Sequence, residues 1–273
     1  MRRLGMAMCV MSAFAGLSAP SANATERELR FDTGRADSTM VVGLYADDGR
    51  MYHPGMDFPF GRIDGITSFT VLVGLHVGSE AAPVDGEPEL RAAVRVNGNA
   101  WQWRDLSALR DDLQHWVAFE TPAEHWRAGA NRVEVTSTAR NMGNLNAHTV
   151  DIPCSFNPPP HPRSYYSHDL RSWHPQMDRH WAIRVRYTTS DPPAAPQTLH
   201  VVGGPERIRS GRRAQFVAVV EDADGLWFTP EDAAFSVSGA VMEAPGILLA
   251  AEPGEATVRV QYGDLQELSL IHI

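Results

Sequence analysis

Residues 91–138 read RAAVRVNGNAWQWRDLSALRDDLQHWVAFETPAEHWRAGANRVEVTST. Apolar side chains occupy every second position in two runs of this stretch: Ala92, Val94 and Val96, then Val133 and Val135. A period of two marks a half-buried strand, because successive side chains of a strand point to opposite faces. Asn97-Gly98 and Gly129-Ala130-Asn131 supply the turns, with residue types that tolerate the backbone angles tight turns require. Residues 115–122 (HWVAFETP) give a third such run, and residues 106–113 leave room for a helix of two turns at most. The stretch predicts an all-β fold.

The same reading extends in both directions. Upstream, residues 28–33 and 39–45 are strand-like, and residues 66–77 (ITSFTVLVGLHV) are rich in the β-branched types that favour strands. Between them, Asp47-Asp48-Gly49, Pro54-Gly55, Asp57 and Pro59 predict a long loop over residues 46–62. Downstream, residues 139–166 carry NMGN at 141–144 and NPPP at 157–160, which predicts irregular backbone with one short strand near 149–152. Residues 181–188 alternate again, with Ile183, Val185 and Tyr187 on one face, and close a first domain over residues 25–189. Residues 190–196 (SDPPAAP) predict a stiff proline-rich linker. In residues 197–273, short strand-like runs alternate with glycine turns such as Asp224-Gly225, the rhythm of a second, smaller β-sandwich.

Composition narrows the function classes. A chain of 273 residues is long enough for two domains. With 43% hydrophobic and 21% charged residues it has the make-up of a folded protein rather than a disordered one. The net charge of −9 disfavours nucleic acid and anionic membranes as partners. All 24 basic residues are arginine, scattered along the chain as codon bias would scatter them. Arg2 and Arg3, the apolar run at 6–17 and Ala22-Asn23-Ala24 have the order of a signal peptide cleaved after Ala24, which predicts export, to the periplasm, the medium or the cell surface. The apolar run is too short to span a bilayer, and no other stretch qualifies. Cys154 is then the one cysteine of the mature chain; it has no partner for an intramolecular disulfide and reads as a small buried hydrophobe.

Candidate site residues come from the aromatics, the acids and the histidines. Flat rings suit sugar faces, and Trp101 and Trp103 follow a turn among polar neighbours, while Tyr165, Tyr166 and Trp173 fall in the long irregular segment; loops carry binding residues disproportionately. Trp116 and Trp181 flank strands and are assigned to packing. Asp47, Asp48 and Asp57 beside a glycine turn have the hard oxygen chemistry of a structural calcium site, without the spacing of an EF-hand. His161, His168, His174 and His180, with Asp169 and Asp178, match no zinc spacing and read as surface loop residues. Nucleophile elbow, phosphate-binding loop and dinucleotide fingerprint are absent from the sequence. A glycosidase needs two carboxylates, for which Asp57, Asp64, Glu120 and Asp169 are available but not distinguished from surface acids.

Two resemblances follow from these residues. Val94-Arg95-Val96-Asn97-Gly98, residues 119–122, residues 126–135 (WRAGANRVEV), Arg171-Ser172-Trp173 and residues 181–187 resemble the strand and turn motifs of galactose-binding-like jelly rolls attached to bacterial glycoside hydrolases. Leu199 to Gly211, residues 214–220 running into Asp224-Gly225, and Gly246-Ile247-Leu248 followed by Gly254-Glu255-Ala256-Thr257-Val258 resemble the bacterial immunoglobulin-like group 2 domain of surface proteins. Residues 226–230 are more aromatic than that family's pattern, and Phe235 stands where it has Trp. The resemblances imply a jelly-roll β-sandwich followed by an immunoglobulin-like β-sandwich, in a non-catalytic protein that holds a glycan or surface polysaccharide. The alternatives are a purely structural surface protein and an accessory module of a glycoside hydrolase system.

Overall fold

The computed structural model describes residues 24–33, 36–142, 148–155, 163–176 and 180–273. Residues 1–23, which hold most of the expected signal peptide, as well as His161 and Asp178, lie outside the described residues. The first sandwich is built from β1 (Thr25–Arg30), β2 (Ser38–Val41), β3 (Gly43–Tyr45), β4 (Arg50–Phe60), β5 (Ile66–Val77), β6 (Arg91–Val96), β7 (Gln102–Asp105), β8 (Gln114–Thr121), β9 (Gly129–Ser137), β10 (Arg140–Asn141), β11 (Val150–Ser155), β12 (Ser164–Ser167), β13 (Trp173–Gln176), β14 (His180–Trp181) and β15 (Ile183–Thr189). Its seven-stranded sheet runs β1-β15-β5-β11-β14, with β2 on β11 and β8 on β5. Its eight-stranded sheet runs β10-β3-β4-β9-β6-β7, with β12 joining β4 to β13.

The predicted alternation is borne out in the central strands. Ala92, Val94 and Val96 of β6 and Val133 and Val135 of β9 are fully buried against Val71, Val73, Phe119, Val185 and Tyr187 of the opposite sheet. Phe69 stacks on Trp126 at 4.4 Å, and Phe60 meets both Trp126 and Tyr187 edge-on. Trp181 is fully buried, as predicted, and Cys154 lies in the same core at 1% exposure. Residues 106–113 supply only a three-residue 3-10 turn, Ser107–Leu109.

The loop expected over residues 46–62 is mostly strand. β4 spans eleven residues and turns Met56, Phe58 and Phe60 into the core. Pro54 lies where β4 passes from β3 to β12, and Pro59 lies one residue from the strand's end. These are positions at which a missing ladder donor is tolerated. The irregular segment expected to hold Tyr165, Tyr166 and Trp173 is likewise corrected, to an antiparallel hairpin of β12 and β13 laid against β4.

The second sandwich consists of β16 (Pro196–Gly203), β17 (Arg213–Asp222), β18 (Trp227–Phe228), β19 (Ala234–Ser238), β20 (Val241–Ala244), β21 (Ile247–Leu249), β22 (Glu255–Tyr262) and β23 (Leu265–His272). A five-stranded sheet and a three-stranded sheet, β19-β22-β23, enclose Leu199, Phe216, Val220, Leu248, Val258 and Ile271. The linker does not hold this unit apart. Val202, Val217, Val219 and Leu226 join the first sandwich's apolar cluster, and Arg27 pairs with the fully buried Asp222 at 2.5 Å. Tyr187 donates its hydroxyl to the Trp227 carbonyl, and the Thr229 amide donates to the Glu28 carbonyl. At Gly61, whose amide donates to the Gly225 carbonyl at 2.7 Å, a Cβ would collide with that same oxygen, so the close approach requires glycine on this side.

Candidate functional site

Strand alternation decides which side chains share the outer face of the eight-stranded sheet. Because Val94 and Val96 point inward, Arg91 and Arg95 of β6 point out, and the register carries Trp103 of β7 beside Ala93 on that side. The same rule places Arg132 and Glu134 of β9, His53, Gly55 and Asp57 of β4, and Tyr165 of β12 on one continuous surface. Trp173 of β13 reaches back over it: a Cβ on Gly55 would lie 2.5 Å from the Trp173 ring. Trp101, Trp103, Tyr165 and Trp173 therefore line one face, which crosses five strand-to-strand steps, about 24 Å.

Arginines pack against each ring. Arg95 lies 4.6 Å over Trp101, Arg91 lies 4.9 Å over Trp103, and Arg132 lies 3.9 Å over Tyr165 and 5.3 Å from Trp173. Arg95 bonds Glu134, and Arg132 bonds Asp57 through both guanidinium branches at 2.8 and 2.9 Å. Burial pushes the Glu134 carboxyl above the usual carboxylate range, with Arg95 opposing it. His53 is buried beneath this network, and burial together with Arg95 pushes it down to about 4, so its ring is neutral at pH 7. Sequence reading nominated the rings but missed Arg91, Arg95, Arg132, Glu134 and His53. The outward positions of two alternating runs, R-x-x-x-R and R-V-E, were the signal that pointed to most of them.

Tyr166, the fifth nominated ring, faces the other way, because it is one residue from Tyr165 on a strand. It belongs to a half-exposed row in which Tyr45, Tyr52, His168, Tyr166 and His174 follow one another at ring separations of 4.5–6.1 Å. His168 holds the Met51 carbonyl through Nδ1 at 2.8 Å.

The three acids nominated for calcium are divided. Asp47 and Asp48 sit in the β3–β4 turn, where Asp48 accepts the Arg50 amide and the Tyr52 hydroxyl. Asp57 lies seven residues along β4 from Arg50, roughly 23 Å, and is committed to Arg132. Among the described residues no three His, Cys, Asp or Glu side chains come together as a metal site. Asp169 is a turn former: it accepts the amides of Ser172 and Arg171, which hold its carboxyl well below the usual range. Asp57 and Glu134 are diagonal neighbours across β4 and β9, about 7–8 Å apart by strand geometry, and both are bound by arginine.

Two further assignments change. Trp116, expected in the core, is 40% exposed on the outer face of the seven-stranded sheet, with Arg184 stacked at 4.0 Å. Its strand alternates, and Val117 and Phe119 take the inward positions. His180, expected on a surface loop, is fully buried in β14, with neither ring nitrogen bonded by another described residue. Burial, then Arg163, pushes it down to about 3.

No family model matches the chain, and no curated protein matches it either. Among solved structures, an FMN-binding beta-glucuronidase from Facaelibacterium prausnitzii L2-6 aligns over 92% of this chain and 38% of its own, at 14% identity and a TM-score of 0.21. The chain thus spans well under half of that protein's length, and at this TM-score the likeness carries neither fold nor function across.

Proposed function

We propose that this chain is an exported, non-catalytic binding protein. Its first sandwich, of galactose-binding-like type, holds a glycan on the outer face of the eight-stranded sheet, and its second, of bacterial immunoglobulin-like type, carries that face outward from a surface. The observation behind this reading is that four aromatic rings separated by up to 72 residues of sequence meet on one sheet face, with Trp103 38% exposed. Large rings present apolar area at low conformational cost and offer a flat surface to sugar C–H groups. The arginine–carboxylate pairs between them neutralise one another, which favours an uncharged or weakly charged partner over a polyanion.

The same pairs also favour a second reading. Rings already covered by Arg91, Arg95 and Arg132 can serve as a rigid lid on the sheet in a purely structural surface protein. A glycan array probed with residues 25–273 separates the two. Binding that is lost in Trp101→Ala/Trp103→Ala and in Trp173→Ala supports the glycan site. A folded protein that binds nothing on the array supports the structural role.

A further inference from the structure

A separate site emerges on the opposite sheet. β5 and β8 pair with Thr70 directly opposite Glu120, and since Phe69, Val71, Phe119 and Thr121 face the core, Ser68, Thr70 and Glu120 face out. Gln102 of β7 reaches over the rim from the other sheet, and Pro122 closes the end. Together they bound a shallow, open cleft of about 510 Å³, the volume of a small-ligand site.

The polar groups of this cleft differ from those of the ring face. There, arginines and carboxylates satisfy each other; here, the side chains of Ser68, Thr70, Gln102 and Glu120 form no hydrogen bond or ion pair with any other described residue. We propose that the cleft is a second ligand site, distinct from the ring face, and that it takes an uncharged, hydroxyl-rich ligand, a neutral saccharide. Two hydroxyls and an amide both donate and accept, and a lone carboxylate accepts twice, which is the complement of neighbouring sugar hydroxyls. An anion is disfavoured, because the one formal charge lining the cleft is Glu120.

The surface continues along β8. From Glu120 the outward positions run through Ala118 to Trp116, about 13 Å in strand rise. Ala118 leaves the path low, and Arg104 crosses beside it to donate to the Ala118 carbonyl at 3.2 Å. Trp116, with one face on Arg184, offers an aromatic platform where the next sugar of a short oligosaccharide would lie.

The test uses the intact two-sandwich protein, with methyl glycosides and xylo-, cello-, manno- and galacto-oligosaccharides as probes. Binding is read by saturation-transfer NMR and calorimetry, and cadaverine serves as the cationic comparison. At least one saccharide series is expected to bind. Glu120→Ala/Thr70→Val and the cleft-filling Ser68→Trp should each weaken that binding tenfold or more. Trp116→Ala should weaken the oligosaccharide tenfold while leaving the methyl glycoside unchanged; these variants are made in a Trp101→Ala/Trp103→Ala/Trp173→Ala background, so that a saccharide held on the ring face does not register. The substituted positions are solvent-facing, and unchanged thermal transitions check that each variant folds. Saccharide binding that remains in that background and survives both cleft variants overturns the proposal; saccharide binding of the parent that the ring substitutions alone abolish assigns the sugar to the ring face, and only the cleft assignment falls. Preference for cadaverine over every saccharide overturns the ligand class, and no binding by any probe overturns both sites.

Discussion

Asp222 is the side chain whose removal should most clearly reveal how the two sandwiches are joined. It is fully buried, pairs with Arg27 at 2.5 Å, and accepts the amides of Asp224 and Leu226 at 3.0 and 2.9 Å. Arg27 is itself 9% exposed and lies 4.3 Å from the Phe228 ring, so water cannot replace the lost carboxylate. Asp222→Ala therefore strands a buried guanidinium and two buried donors, a loss of about 3–5 kcal/mol, a large part of the 5–15 kcal/mol that holds most domains folded. Because Arg27 belongs to the first sandwich and Asp222 to the second, the damage falls on the junction. Urea unfolding of the intact chain, followed by tryptophan fluorescence and circular dichroism, should give one transition for the native protein and an earlier, separate transition of the second sandwich in the variant. Arg27→Met/Asp222→Leu, which removes both charges but still leaves the Asp224 and Leu226 amides without an acceptor, should regain part of the loss. A loss below about 1 kcal/mol in Asp222→Ala, or a double variant no more stable than the single one, would refute a junction held by a desolvated ion pair.

Three further outcomes are expected. His180 titrates near 6.5 when unfolded and about 3 when folded, so between those values the unfolded chain binds more protons and stability falls as pH falls. Its contribution is fully present above pH 6.5, and about 2–3 kcal/mol is lost by pH 4.5; His180→Leu should flatten that part of the profile in denaturant titrations at pH 7 and 4.5, and an unchanged slope would contradict it. Gly55→Val places a side chain where the Trp173 ring lies and should cost about 1–3 kcal/mol while lifting Trp173 into water; a melting point and emission spectrum like the parent's would show the ring is not held there. The Cys154 thiol, buried at 1% exposure, should stay silent to a thiol reagent in the native state and react in denaturant; labelling at native pH without unfolding would place it at the surface.

Much of the fold was legible in local pattern. The alternation of Ala92, Val94, Val96, Val133 and Val135, and of Ile183, Val185 and Tyr187, fixes strand and facing at once, because a one-residue shift would turn every apolar side chain to water. The all-β class and a second β unit after the proline-rich stretch were readable for the same reason: they depend on neighbours in sequence. The rings Trp101, Trp103, Tyr165 and Trp173 could be nominated singly, by residue chemistry alone.

Only the tertiary structure decided what those residues do together. β4 reads as loop because Pro54, Gly55 and Pro59 are local breakers, and it is strand because β3, β12 and β9 each take up a different length of it. Tyr165 and Tyr166 look equivalent in sequence, yet pairing with Gly55 and Pro54 sends them to opposite faces. Trp116 and His180 changed places: Trp116 takes an outward position of an alternating strand that no second layer covers, and His180 lies on a two-residue strand that the rest of the sandwich buries. The Arg27–Asp222 pair spans 195 residues. Periodicity can say which way a side chain points from its own strand, but contacts at that separation are set by sheet register and by the docking of two sandwiches, and these exist only once the chain has folded.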